Sequence, residues 1–111
     1  MEGQLLLKPG VSLANLTPQA LLAMIVTRDL LATRQSVCMI TSVCDGEHGP
    51  NSLHPKGRAF DFRIWYLPAQ TRADVANALQ ARLGDEFDVV LEHDHIHVEW
   101  DPDYLKGPIV A

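Results

Sequence analysis

The chain is short of cysteine, of aromatic residues and of basic charge, and it has no long apolar run. Each shortage excludes something. The only two cysteines, Cys38 and Cys44, fall in a stretch that reads as a strand. Six extended residues span roughly 20 Å, far beyond disulfide reach, so free thiols are expected. Their spacing matches no common zinc motif, and Cys38 is read as core filling. Aromatic residues make up 6% of the chain, and nine Lys and Arg against fourteen Asp and Glu leave a net charge of −5. No basic stripe with interleaved aromatics occurs, which argues against nucleic acid as a partner. The apolar stretch around residues 21–26 is far too short to cross a bilayer, so no membrane segment is expected. Met1 to Pro9 lacks the basic start and long apolar stretch of a signal peptide, so synthesis in the cytoplasm is expected. No repeat, linker or low-complexity tract is visible.

What remains is ordinary globular chemistry. Hydrophobic residues at 47% and charged residues at 21% fit a chain that folds rather than a disordered one. A length of 111 residues predicts one domain over 1–111, large enough to bury a core without staples. A monomer is the favoured state.

Residues 1–16 read as an irregular lead-in. Thr17-Pro18 is a strong helix start, with Thr as cap and Pro in the first turn. Leu22, Ile25, Val26 and Leu30 then recur at helical spacing to about Arg34. Ser36 to Val43, rich in Val, Ile and Thr, reads as a strand. Residues 44–57 hold three Gly and two Pro and read as a long loop, a kind usually functional in small domains. Arg58 to Tyr66 is a second strand, with Phe60, Phe62 and Ile64 on one side and Asp61 and Arg63 on the other. Thr71 and Asp74 form a capping-box-like start to a second helix, which carries Val75, Ala78, Leu79 and Leu83 and closes at Gly84. Phe87–Leu91 and His95–Trp100 are two further strands, the last burying Ile96, Val98 and Trp100. The order predicts an α+β domain: a mainly antiparallel four-stranded sheet with helices packed on one face. The tail from Asp101 reads as loop.

Histidine is concentrated where chemistry needs it. His54 lies in the long loop, Asp61 follows seven residues later, and His93, His95 and His97 cluster at the last strand. On a strand, His95 and His97 share one face. If the Asp61 strand lies beside the His97 strand, two imidazoles and a carboxylate can meet around Zn2+ and leave a fourth position for water. Each piece alone has a plainer reading. A His-x-His pair on a half-exposed strand is more often solvated. Asp61 could pair with Arg58 or Arg63, His54 beside Pro55 could be a turn residue, His48 a loop histidine and His93 a surface one.

The pieces also fall in a particular order. Residues 52–61, from Ser52 through His54, Gly57 and Ala59 to Asp61, match Ser-x-His-x-x-Gly-x-Ala-x-Asp, and His95-Ile96-His97 follows downstream. Together they resemble the zinc peptidase family of D-alanyl-D-alanine carboxypeptidases and dipeptidases, phage L-alanyl-D-glutamate endopeptidases and the Hedgehog signalling domain. The match covers roughly residues 40–99. The resemblance implies a Hedgehog/DD-peptidase-like fold and Zn2+ held by His54, Asp61 and His97. It implies Asp94, three residues before the last ligand, as the carboxylate that takes a proton from water and passes it to the leaving amine. His95 would contact the developing oxyanion or orient the water, and Ser52 would hydrogen-bond near the metal. The implied reaction is hydrolysis of a peptide bond in peptidoglycan stem peptides, by carboxypeptidase or endopeptidase action. The short chain, without leader or wall-binding module, suggests phage-mediated release or a virion-borne enzyme. Relatives carry an Arg soon after the first strand, where this chain has residues 41–46 without one; Arg63 or Arg34 is the available substitute. Glu92 competes with Asp94 as the base, because strict alternation turns Asp94 away from His97 unless the chain bends there. The alternative function is a non-catalytic zinc domain with a structural or partner-binding role.

Overall fold

The computed structural model describes residues 3–44, 53, 54 and 56–105. Helix α1 runs Pro18–Thr33, and the Thr17 hydroxyl accepts from the Ala20 amide at 3.2 Å, satisfying an amide the first turn leaves without a helical partner. Helix α2 runs Arg72–Leu83 and ends at Gly84, whose φ of 86° gives the left-handed exit. The capping box expected at Thr71 does not form. A turn of 3-10 helix at Ala69–Thr71 leads into α2, and the Thr71 hydroxyl donates back to the Pro68 carbonyl at 2.8 Å.

The strands are β1 (Leu5–Leu7), β2 (Cys38–Ser42), β3 (Ala59–Arg63), β4 (Phe87–Leu91) and β5 (His95–Trp100). They form one sheet in the order β1-β2-β3-β5-β4, with a parallel β1–β2 pair and antiparallel pairs elsewhere. The α+β class and the mostly antiparallel sheet hold, but the sheet has five strands, not four. The lead-in is not wholly irregular: Leu5–Leu7 pairs along β2 as an edge strand. Three identical residues carry no alternation, so only the distant partner reveals that strand. The two middle strands are shorter than the 36–43 and 58–66 segments that suggest them.

Both helices pack on one face of the sheet. That face carries Cys38, Ile40, Phe60, Phe62, Ile96 and Val98, all essentially inaccessible. Burying such a side chain contributes about 1.5–3 kcal/mol for the larger ones. Burial also pushes the Cys38 thiol up to about 12, so it is inert packing material, and both cysteines are free. The face of α1 turned to the sheet differs from the expected stripe. Ala20, Ala23, Met24, Thr27, Leu30 and Leu31 are buried, whereas Leu22 is 62% exposed. The helix is apolar nearly all round, so periodicity did not select a face. Buried Thr27 is satisfied by donating to the Ala23 carbonyl at 2.8 Å. No described helix is long and apolar enough to cross a membrane.

Alternation sends the other side chains of β3 and β5 to the opposite face. Three cross-strand pairs lie there in a row: Ala59 with Glu99, Asp61 with His97, and Arg63 with His95. Beside this row, the turn before β3 is pinned by Gly57. Its φ is 70°, and a Cβ there would fall 1.7 Å from the Asn15 carbonyl oxygen. The Gly57 carbonyl in turn accepts from both the amide and the hydroxyl of Thr17, each at 2.9 Å. The space Gly57 keeps open is thus for the 15–17 backbone, which locks the turn carrying His54 onto the start of α1.

Candidate metal centre

His54 is delivered by that turn, bound through its own carbonyl to the Gly57 amide at 3.0 Å, and is 4% exposed. Its Nδ1 lies 2.8 Å from the Val43 carbonyl oxygen. A carbonyl only accepts, so Nδ1 carries the hydrogen, and the neutral ring presents the Nε2 lone pair. That Nε2 lies 3.3 Å from Asp61 Oδ1.

His97 is oriented by the same logic in mirror form. Its Nε2 lies 2.8 Å from Glu99 Oε1 and its Nδ1 2.8 Å from Asp61 Oδ1. Both neighbours are carboxylates that only accept, so the metal-free ring can donate to both, whereas a neutral ring donating Nε2–H to Glu99 would free its Nδ1 lone pair for a metal. The two rings are 5.0 Å apart at their centroids. Outer acceptors therefore leave one nitrogen of each ring directed at one carboxylate oxygen, where a proton or a metal ion can sit between them.

One nitrogen each from His54 and His97 and one Asp61 oxygen lie within 4.8 Å of one another, so the group could hold a metal ion. Ligands about 2.1 Å from a tetrahedral zinc sit about 3.4 Å apart; His54 Nε2 lies 3.3 Å from Asp61 Oδ1, and His97 Nδ1, at the hydrogen-bond distance of 2.8 Å, would move out by about 0.6 Å. The outer contacts fit too: a metal-bound imidazole ordinarily donates its other N–H to a carbonyl or carboxylate. A second group, Asp88, Glu99 and Asp101, is a more exposed acidic cluster without an imidazole.

The electrostatics follow from this packing. Burial works to raise the Asp61 carboxyl, but the close contacts with the His54 and His97 imidazoles outweigh it and hold it well below the usual carboxylate range. The His97 imidazole is raised, first by its bond to Asp61, against burial, with Glu99 adding to the effect. In the metal-free protein a proton on His97 is thus favoured by the two carboxylates it touches.

The other sequence-selected residues separate. His95, opposite Arg63, brings Nε2 to 3.8 Å from Asp61 Oδ2, at the margin of the centre. Asp94 lies in the exposed turn between β4 and β5, where the chain bends at His93–Asp94. Its Oδ1 accepts from His95 Nδ1 at 2.7 Å, and this bond is the main reason its carboxyl is lowered. The carboxylate therefore faces His95, and His95 faces the centre. Glu92 is exposed, its amide closing the turn on the His95 carbonyl at 2.9 Å. Arg58 is drawn to the Trp100 carbonyl and Asp101, not to Asp61. Arg63 lies over the Trp65 ring at 4.0 Å. Arg34 caps α1 through its backbone. Ser52 and His48 lie outside the described residues.

Glu99 was missed by sequence reasoning, although a signal existed. The alternation that puts His95 and His97 on one face puts Glu99 there as well, one step further along. Glu99→Gln is expected to weaken zinc binding about 10- to 100-fold, because an amide is a poorer acceptor and lowers the basicity of His97. Competition with a chromophoric chelator measures it; unchanged affinity would show that Glu99 does not support the ligand.

The chain matches no family model, no curated protein and no solved structure, so the centre stands on its own geometry.

Proposed function

We propose that the protein is a zinc-dependent peptidase acting on peptidoglycan stem peptides, with His54, Asp61 and His97 as metal ligands. The observation that carries the reading is the pair of imidazoles, each held by an outer acceptor with its other nitrogen against Asp61. Two nitrogens and one oxygen suit zinc and leave room for a water, the composition of a catalytic rather than a structural site. Zinc in such a site lowers the pKa of a water to about 7 and polarises a carbonyl. The protein's own contribution is proton handling and charge. Asp94 and His95 form a hydrogen-bonded pair at the margin of the centre. In this reading Asp94 holds the proton taken from water and returns it to the leaving amine, and His95 meets the developing oxyanion. The peptidoglycan substrate rests on the sequence resemblance.

A second reading, a zinc domain that binds a partner without cleaving it, draws on the same turn: Asp94 is directed at His95 and not at the ligands. One experiment separates them. Purified protein is assayed for bound zinc and incubated with purified stem peptides, with products read by mass spectrometry. The peptidase reading expects one zinc per chain and cleavage that a chelator abolishes and zinc restores. Stoichiometric zinc without cleavage selects the partner-binding domain; no stoichiometric zinc sinks both.

A further inference from the structure

Two of the three ligand residues, Asp61 and His97, stand on paired strands, but His54 comes from the turn before β3 and is not carried on a strand. Two anchors hold it. Its ring is tied at 2.8 Å to the Val43 carbonyl, and its own carbonyl accepts from the Gly57 amide at 3.0 Å. Each anchor is held in turn from one place, the connection between β1 and α1. The Cys44 amide, next to Val43, donates to the Ser12 carbonyl at 2.9 Å. The Gly57 carbonyl accepts from the amide and the hydroxyl of Thr17, each at 2.9 Å. We infer that the β1–α1 connection is a clamp on the metal ligand His54, with Thr17 as a positioning residue whose hydroxyl serves helix α1 and the ligand turn together.

Three observations carry this. First, the Thr17 hydroxyl has two duties. It accepts from the Ala20 amide at 3.2 Å and donates its hydrogen to the Gly57 carbonyl. Capping a helix needs only the acceptor, and Asp fills that duty as well as Ser or Thr does. The hydrogen is used by the ligand turn alone. Second, the contact is backbone on backbone. A Cβ on Gly57 would fall 1.7 Å from the Asn15 carbonyl oxygen and 2.9 Å from the Leu16 Cα, so no side chain cushions the two segments. Third, the clamp grips on both sides of His54, at Cys44 and at Gly57, so a shift of the 12–17 backbone moves both anchors. A binding constellation tolerates displacements of only about 0.5 Å.

This inference rests on His54 as a metal ligand and deepens that reading by naming what places it; it is independent of the substrate. Three variants separate the two duties of the hydroxyl. Thr17→Ser keeps both, Thr17→Asp keeps the cap but as a carboxylate has no hydrogen to donate, and Thr17→Ala loses both. Zinc affinity is measured by chelator competition well below the Tm of every variant. Two hydrogens are followed by NMR exchange in the metal-free protein: the Ala20 amide, which reports the cap, and the His54 Nδ1–H, which reports the ligand.

Thr17→Asp and Thr17→Ala are each expected to bind zinc about tenfold more weakly than the wild type. That is the lower end of the loss for an outer support of a metal ligand, because the Thr17 amide still holds Gly57. Thr17→Ser should match the wild type. The His54 hydrogen should exchange faster in Thr17→Asp and Thr17→Ala, whereas the Ala20 amide should lose protection only in Thr17→Ala. An affinity that follows the cap, with Thr17→Asp equal to Thr17→Ser, overturns the inference, as does equal affinity in all of them. If the wild type binds no zinc, the metal reading fails and the His54 hydrogen alone decides the clamp. Faster exchange in Thr17→Asp then upholds it, and unchanged exchange overturns it.

Discussion

His97→Ala is expected to leave the protein without stoichiometric zinc and without hydrolytic activity. Removing an outer partner of a zinc-bound imidazole costs 10- to 100-fold in affinity, so losing the imidazole itself should exceed about 100-fold. His54→Ala should behave alike. The thermal readout is independent of any substrate. A metal that binds only the folded chain at 100 times its Kd adds about 2.7 kcal/mol, so zinc should raise the Tm of the wild type and leave both variants unmoved.

pH sharpens this prediction, because proton and metal compete for the same lone pair. The folded His97 imidazole lies above its ordinary value. Its contribution to the metal-free fold is therefore fully present below the unfolded value of about 6.5 and is lost as pH rises through the folded value. Asp61 runs the other way: its carboxyl is depressed, so its contribution is present above the unfolded value of about 3.9 and is lost only on strong acidification. From about pH 6.5 upward the metal-free protein should lose stability while zinc binding strengthens, since less proton must be displaced from His97. The zinc-induced rise in Tm should therefore grow between about pH 6 and 8. A rise independent of pH would remove His97 from the ligand set.

Asp94→Ala should keep zinc and lose about 10^2- to 10^4-fold in kcat, the usual range for a positioned acid–base group. The carboxylate is held below its ordinary range by His95, so it stays ionised across neutral pH, as a base must. Glu92→Ala should be nearly silent, because Glu92 is exposed and only its amide is engaged in the turn. If Glu92→Ala is instead the metal-replete, inactive variant, the base has been misassigned. The 2.7 Å bond between Asp94 and His95 adds a second expectation. Two groups acting as one unit give non-additive losses, so the double variant should be little worse than the poorer single one. Fully additive losses would mean that the two act separately.

Much of this centre was legible along the chain because strand alternation is a local rule. Asp61 and Arg63 on one side of a strand, and His95 and His97 on one side of another, need only a period of two. The same rule reached Glu99, where it went unused. The bend that Asp94 needed in order to face His97 is there in the turn between β4 and β5, but it directs the carboxylate to His95. The apolar stripe on α1 was less legible, because a helix hydrophobic on most sides carries no preferred face until a sheet is set against it.

Composition and order alone established an α+β chain, the positions of both helices, the faces of β3 and β5, and a set of side chains able to bind a metal. These follow from residue chemistry and short periodicities. Only the tertiary structure decided that Asp61 stands opposite His97, that Val43 and Glu99 hold the two imidazoles with their other nitrogens inward, and that Leu5–Leu7 adds a fifth strand at the sheet edge. The reason is the same for all three. Register, tautomer and edge pairing are set by partners many residues away, and no local pattern records which carbonyl, carboxylate or strand will arrive there.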